Sequence, residues 1–260
     1  MRRRLLLGLP VLLLAAGPPA SAALSSADDQ GRIIDPCPEA TEAGGLSVRG
    51  EAFRFSFGLG RIPGAVVRAV GHPERCAVTD EQGSFALGGF APGEAVTLTL
   101  EKEGYAPTQT GTLEILADGL ARVSFQAPTW EVYHLIAGIT HISPSPAKCQ
   151  IASTVTEVGR SLYDDVPSHG EAGATVTLDP MPEGVLGPIY FRYLAPGLIV
   201  PDRGLAETTR DGGVLFLEAP PGEYTLTAHK EGARFTPVKV ECRAGWLVNA
   251  SPPWGIQTLP

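Results

Sequence analysis

The sequence predicts an all-β protein of two tandem β-sandwiches joined by a short linker with helical spacing. Three observations carry this. Short runs of alternating apolar residues are bounded by turn formers; the pattern occurs twice; and neither copy contains a long amphipathic helix. The organisation read from the chain is a signal peptide over 1–22, a leader over 23–45, a first sandwich over 46–127, a linker over 128–147 and a second sandwich over 148–257. The second sandwich carries an insertion at 181–207.

The chain opens MRRRLLLGLPVLLLAAGPPASAALSSA, with three arginines, an apolar run from Leu5 to Ala16, and small residues Ala20-Ser21-Ala22 that fit a signal-peptidase site. That run is shorter than the ~18 residues a spanning helix needs, and no second long apolar stretch follows. The expectation is therefore a soluble mature chain, secreted or periplasmic, with no transmembrane segment. Removing Arg2, Arg3 and Arg4 takes the formal charge from −8 to −11. Such an acidic chain repels phosphate backbones, which argues against nucleic acid as a partner. About 240 residues remain, enough for two ordinary domains.

In the first copy, "TDEQGSFALGGFAPGEAVTLTLEKEGY" runs from Thr79 to Tyr105. Asp80-Glu81-Gln82-Gly83 reads as a hairpin turn whose glycine takes the left-handed conformation. Phe85 and Leu87 alternate with Ser84 and Ala86, giving one buried face. Pro92-Gly93 suits a type II turn. The second copy, "TTRDGGVLFLEAPPGEYTLTAHKEG", repeats these elements from Thr208 to Gly232 with a one-residue slip. Pro221-Gly222-Glu223 answers Pro92-Gly93-Glu94, Thr225-Leu226-Thr227 answers Thr97-Leu98-Thr99, and Lys230-Glu231-Gly232 answers Lys102-Glu103-Gly104. Its Tyr224, Leu226 and Ala228 alternate with Thr225 and Thr227. Between the copies, Val132, Leu135, Ile136 and Ile139 recur at helical spacing, which predicts a short helix packed between the domains. The leader, rich in Asp, Glu, Pro and Gly, reads as a segment strapped down only through Cys37.

Four cysteines, Cys37, Cys76, Cys149 and Cys242, occur in an exported chain and none is spaced as C-x-x-C. An even count points to two disulfides with three possible connectivities rather than to zinc or a redox pair.

The first copy resembles the carboxypeptidase regulatory-like domain, a transthyretin-like (prealbumin-like) β-sandwich. The resemblance rests on Gly64-Ala65, Thr79-Asp80, Gly83-Ser84-Phe85, Pro92-Gly93 and Gly104-Tyr105. The second copy keeps Gly173-Ala174, Gly212 and Pro221-Gly222 but has Thr209 in place of Asp80 and Ala233 in place of Tyr105. Every matched residue is a turn former or a core position, so the motif specifies a fold and not a chemistry. In this family the resemblance implies a non-catalytic accessory or adhesive domain. It also implies that the first and last strands of the second sandwich are neighbours, which pairs Cys149 with Cys242 and leaves Cys37 for Cys76. Transthyretin-like sandwiches include a hydrolase of 5-hydroxyisourate ending in Tyr-Arg-Gly-Ser, but this chain ends PPWGIQTLP. The His-x-x-Glu pair of zinc carboxypeptidases is missing too.

Three His-x-Glu pairs, His72/Glu74, His169/Glu171 and His229/Glu231, could place two ligands on one side of a strand, but none has an evident third. The densest polar cluster holds Asp164, Asp165, His169 and Glu171 in a loop that could offer oxygen ligands to Ca²⁺, without the EF-hand spacing. Gly-x-Ser-x-Gly is absent, and Ser168-His169 side by side is no triad. Trp246 and Trp254 read as packing residues before sugar platforms. Asn249-Ala250-Ser251 is a glycosylation sequon followed by the disfavouring Pro252.

The reading is an exported, non-enzymatic structural or interaction module at the cell envelope, without a cofactor, whose partner is a protein or glycan there. A rival is a carbohydrate- or small-ligand-binding module using Tyr190, Phe191 and Tyr193 of the insertion, which equally well form an extra strand and local core. A weaker rival is a metal-dependent hydrolase at the Asp164 to Glu171 loop. Cleavage is predicted after Ala22, so intact-mass measurement of exported protein should find a chain beginning at Ala23; retention of Arg2 to Arg4 would refute it.

Overall fold

The computed structural model describes residues 26–27, 31–38, 44–55, 60–161, 164, 170–195 and 198–260. The signal segment, and Asp165 and His169 of the polar loop, lie outside them. The leader contributes β1 (Ser26–Ala27) and β2 (Ile33–Ile34), an antiparallel pair. The first copy supplies β3 (Leu46–Arg54), β4 (Val66–Ala69), β5 (His72–Val78), β6 (Ser84–Phe90), β7 (Ala95–Val96), β8 (Leu98–Glu101), β9 (Thr108–Thr110), β10 (Leu113–Glu114) and β11 (Phe125–Ala127). After α1 (Trp130–Ile139) come β12 (Cys149–Thr156), β13 (Thr175–Asp179), β14 (Leu186–Ala195), β15 (Leu198–Asp202) and β16 (Gly213–Ala219). The chain closes with β17 (Gly222–His229), β18 (Val238–Cys242), β19 (Leu247–Asn249) and β20 (Ile256–Gln257).

The fold is an all-β sandwich architecture. In the first copy the sheet β11-β3-β6 faces β5-β4-β8-β9, and Val48, Val67, Phe85, Leu98, Leu100 and Phe125 fill the space between. In the second copy β12, with β16 and β14 on one side and β19 and β20 on the other, faces β13-β17-β18. Its core includes Ile151, Val176, Phe216, Leu226 and Val240. The alternation read from the sequence places Phe85 and Leu87, and Tyr224, Leu226 and Ala228, on the buried faces.

The repeat is visible atom by atom at its most buried turn. Thr79 Oγ1 accepts from the Ala65 N–H at 2.8 Å and donates to the Ile62 carbonyl at 2.6 Å. In the second copy Thr208 Oγ1 accepts from Ala174 N–H at 2.9 Å and donates to the Glu171 carbonyl at 2.7 Å. Each threonine thus satisfies a Gly-Ala turn from within, which explains why a polar residue is buried at both places. The Pro-Gly turns are not equivalent. Gly93 has φ +76°, whereas Gly222 already belongs to β17 and has no positive φ. The strand before each turn carries a matching bulge, with positive φ at Gly89 (88°) in the first copy and at Glu218 (62°) in the second. The carboxylate of Glu218 accepts from Ser145 N–H at 3.0 Å and Gln150 Nε2 at 2.9 Å, contacts that hold this otherwise disfavoured conformation.

The two sandwiches share one sheet. β9, at the edge of the first, pairs in parallel with β19 of the second, in the register Leu247↔Thr108, Val248↔Gln109 and Asn249↔Thr110. A ten-stranded sheet results, running from β15 to β5. Gly111 is where the backbones come closest beyond the ladder: Thr112 N–H donates to the Lys239 carbonyl at 2.8 Å. A Cβ on Gly111 would stand 2.9 Å from that carbonyl oxygen.

The linker helix forms, capped by Thr129, whose hydroxyl accepts from Val132 N–H at 3.4 Å. Its buried face differs from the apolar stripe read in the sequence: Leu135 is 60 % exposed and Ala137 is buried. The helix lies over the outer face of the second sandwich, Ile136 packing with Phe55, Ile189, Phe191 and Leu215. Residues 181–207 are likewise more than an insertion, since β14 pairs with β16 and carries β15 at its far edge.

Both disulfides pair as the resemblance implies, Cys37–Cys76 and Cys149–Cys242, with Cα separations of 5.5 and 5.8 Å. The implied reason needs correction: β12 and β18 are not neighbours in one sheet but lie in opposite sheets. The Cys149–Cys242 bond crosses the sandwich, and on the chain-entropy model it stabilises by about 4.5 kcal/mol. Gly111→Ala is predicted to cost about 1–3 kcal/mol by pushing the Lys239 carbonyl off the junction. Gly138→Ala, in open space on α1, should leave stability equal or higher. Urea midpoints measure both; an unchanged Gly111→Ala midpoint would refute the tight junction.

Candidate functional site

The junction created by β9 and β19 gathers a connected set of interacting polar side chains. Thr108, Gln109 and Thr110 are fully buried there, so each polar group needs a partner. Thr108 Oγ1 donates to the Ala106 carbonyl at 2.9 Å, and Thr110 Oγ1 donates to the Gly111 carbonyl at 2.7 Å. Gln109 reaches the second sandwich: its Nε2 donates to the Glu241 carbonyl, and its Oε1 accepts from Arg243 Nε at 2.8 Å.

Arg243 sits in the turn after β18. Its guanidinium lies 4.2 Å from the centre of the Trp246 ring, and Arg32 from the leader lies 5.0 Å from the same ring. Cation–π contact of this kind explains a half-buried tryptophan at a turn. Arg243 Nη2 is sealed from solvent without a hydrogen-bond partner. Burial pulls its pKa below the ordinary value, while Glu241 and Glu101 oppose the shift. Glu101, at the end of β8, lies 3.6 Å from Arg68 and 4.0 Å from Arg32. A cleft of about 210 Å³ opens here, lined by Arg68, Thr99, Glu101, Arg243 and Trp246 with the β4–β5 turn.

The leader is held by more than Cys37. Arg32 donates to the Gly245 carbonyl at 3.4 Å, and Arg68 donates to the Asp35 carbonyl. The segment therefore contacts both sandwiches. On another side of the junction Arg122 donates to Ser161 Oγ at 2.7 Å and covers Trp254 at 5.0 Å.

Tyr190 and Phe191 of the proposed binding surface are 1 % and 5 % exposed. Tyr190 points into the sandwich, its hydroxyl accepting from Val176 N–H at 2.9 Å on the free side of β13. Tyr193 is half-buried with Arg210 over its ring at 5.3 Å. Asp164 accepts from Ser161 N–H at 2.7 Å, and Glu171 pairs with Lys230. His72 and Glu74 form an exposed pair at 3.2 Å, and His229 meets Thr177 Oγ1 at 3.2 Å. Among the described residues no three His, Cys, Asp or Glu side chains converge as a metal site. Asn249 of the sequon is buried on β19. No helix among the described residues is long and apolar enough to cross a membrane.

The sequence reading passed over Arg32, Arg68, Glu101 and Arg243 as a group. The local signal was "CRAGW", an arginine three residues before a tryptophan. It also missed Asp211, which is 4 % exposed, accepts from Gly213 N–H at 3.2 Å and lies beside the Phe191 ring at the Gly212-Gly213 turn.

No protein-family model matches the chain, and no curated protein does. Solved structures with some likeness include the Bacillus anthracis TIE protein, at 16 % identity and a TM-score of 0.22, over 79 % of this chain and 33 % of that one. The chain thus spans about a third of that protein's length. GBS52, the minor pilin of Streptococcus agalactiae, aligns at 12 % identity and a TM-score of 0.26, over 83 % and 97 % of the two chains. A streptococcal ancillary pilin aligns at 11 % identity and a TM-score of 0.22, over 90 % and 72 %. TM-scores of this size fall short of a shared fold.

Burial raises the Asp211 carboxyl from 3.8 to about 6, the Gly213 N–H opposing it. The folded state therefore keeps this proton to higher pH than the unfolded chain, and the group's contribution is most favourable below pH 4 and is lost as pH rises towards 6. Asp211→Asn is predicted to stabilise the protein at pH 7.5 by about 2–3 kcal/mol and to flatten its stability between pH 4 and 6. Urea unfolding across that range measures this; an Asn variant less stable at pH 7.5 would refute it.

Proposed function

We propose that the chain is an exported, non-enzymatic interaction module of the cell envelope, built from two transthyretin-like sandwiches of the carboxypeptidase regulatory-like kind. The observation that supports this reading is the β9–β19 ladder. It joins two sandwiches into one body, where a flexible linker would have left them independent. A rigid scaffold with variable loops suits presentation of a surface to a partner.

Other features agree with it. The two disulfides suit an oxidising compartment. The carboxylates Asp164 and Glu171, candidates for metal chemistry, are engaged in backbone and ion-pair contacts of an ordinary kind. The repeated signals, Thr79 with Thr208 and Gly83 with Gly212, are spent on turns. A catalytic reading would need a nucleophile, a base and an orienting group in mutual contact.

The test is made in the source cell. Photo-cross-linking from exposed loop positions should trap an envelope protein or glycan, with the mature chain in the periplasmic or extracellular fraction. Purified protein should not turn over ester, peptide, glycoside or phosphoester substrates. A cytoplasmic location, or hydrolysis that purifies with the chain, would overturn the proposal.

A further inference from the structure

The junction cleft is positively charged in an acidic protein. Arg68 and Arg243 line it, with Arg32 beside them on Trp246. Glu101 is the one carboxylate among the lining residues, and it is already shared between Arg68 and Arg32. Arg243 spends Nε on Gln109 and leaves Nη2 without an acceptor. Nη2 itself is shut off from solvent, so an anion entering the cleft meets only what Arg243 presents to the lining, together with Arg68.

We propose that this cleft binds a small hydroxy acid of the sugar-acid class. The ligand carboxylate meets the Arg243 and Arg68 guanidinium groups, and one of its hydroxyls donates to Glu101. Planar guanidinium groups match a carboxylate in a fork. Glu101 decides against a phosphate, because a second negative charge on the ligand would be repelled from the same wall that accepts a hydroxyl. It equally provides the acceptor a polyol needs. Trp246 is engaged by Arg32 and Arg243, so recognition runs through charge and hydrogen bonds and not through stacking. The volume, about 210 Å³, is below the ~300–1,000 Å³ of drug-sized sites, which limits the ligand to a single sugar residue. Because the cleft exists only where both sandwiches meet, the site belongs to the two-module body. It stands apart from the envelope function, since it is tested on purified protein.

Calorimetric titration of the mature protein with D-glucuronate, D-glucose and inorganic phosphate at moderate salt tests the site. Glucuronate should bind saturably, with at least tenfold weaker affinity in Arg243→Gln, while glucose and phosphate give no comparable heat. Should Arg243→Gln fail to fold, Arg68→Gln serves the same purpose. Glu101→Gln removes the competing anion while keeping an acceptor, so it should tighten glucuronate binding severalfold, a gain that general loosening of the structure would not produce. Absence of saturable glucuronate binding, equal affinity for glucose or phosphate, or unchanged or weakened binding in Glu101→Gln would overturn the proposal.

Discussion

Three residues of parallel pairing, Thr108 to Thr110 against Leu247 to Asn249, carry the architecture of the whole molecule. Each sandwich alone would present an open edge, β9 in one and β19 in the other. Pairing them satisfies both rows of backbone groups and removes two sites for aggregation. The cost is burial of polar side chains on β9. The hydroxyls and the amide N–H there donate to neighbouring carbonyls, and the Gln109 amide oxygen accepts from Arg243. Asn249 Nδ2 and Arg243 Nη2 are buried without hydrogen-bond partners at this same junction.

Other contacts follow from that ladder. Gly111 lies against Lys239, Arg122 reaches Trp254, and the leader crosses from Gly245 to Cys76 because the sandwiches are held side by side. The two disulfides do different work. Cys149–Cys242 ties opposite sheets of one sandwich, while Cys37–Cys76 fastens a leader that arginine contacts also hold. The aromatic residues divide similarly, Tyr190 serving the core and edge of the second sandwich, Trp246 and Trp254 serving as platforms for arginines.

The sequence could be read wherever a structure depends on neighbours along the chain. Alternation on β6 and β17, the left-handed glycines at 83, 93 and 212, and a helix after Thr129 were all legible because period and turn chemistry are local. The Gly222 turn was not, since Gly222 is already in β17, and the bulge that glycine allows at Gly89 falls in the second copy on Glu218, where contacts from Ser145 and Gln150 hold it. Neither was the buried side of α1. Spacing permits either face, and the choice was made by Phe191 and Leu215 beneath it.

By itself the sequence determined the class of fold and the repeat, and it left three possible pairings of its four cysteines. Tertiary structure alone decided that Cys149 and Cys242 join opposite sheets, that the supposed insertion is a core strand, and that the two modules share one sheet. It alone brought Arg32, Arg68, Glu101 and Arg243 together. Their separation along the chain leaves no periodic trace, because their meeting depends on which sheet edges join, and backbone edges carry no side-chain signature of the partner they will take.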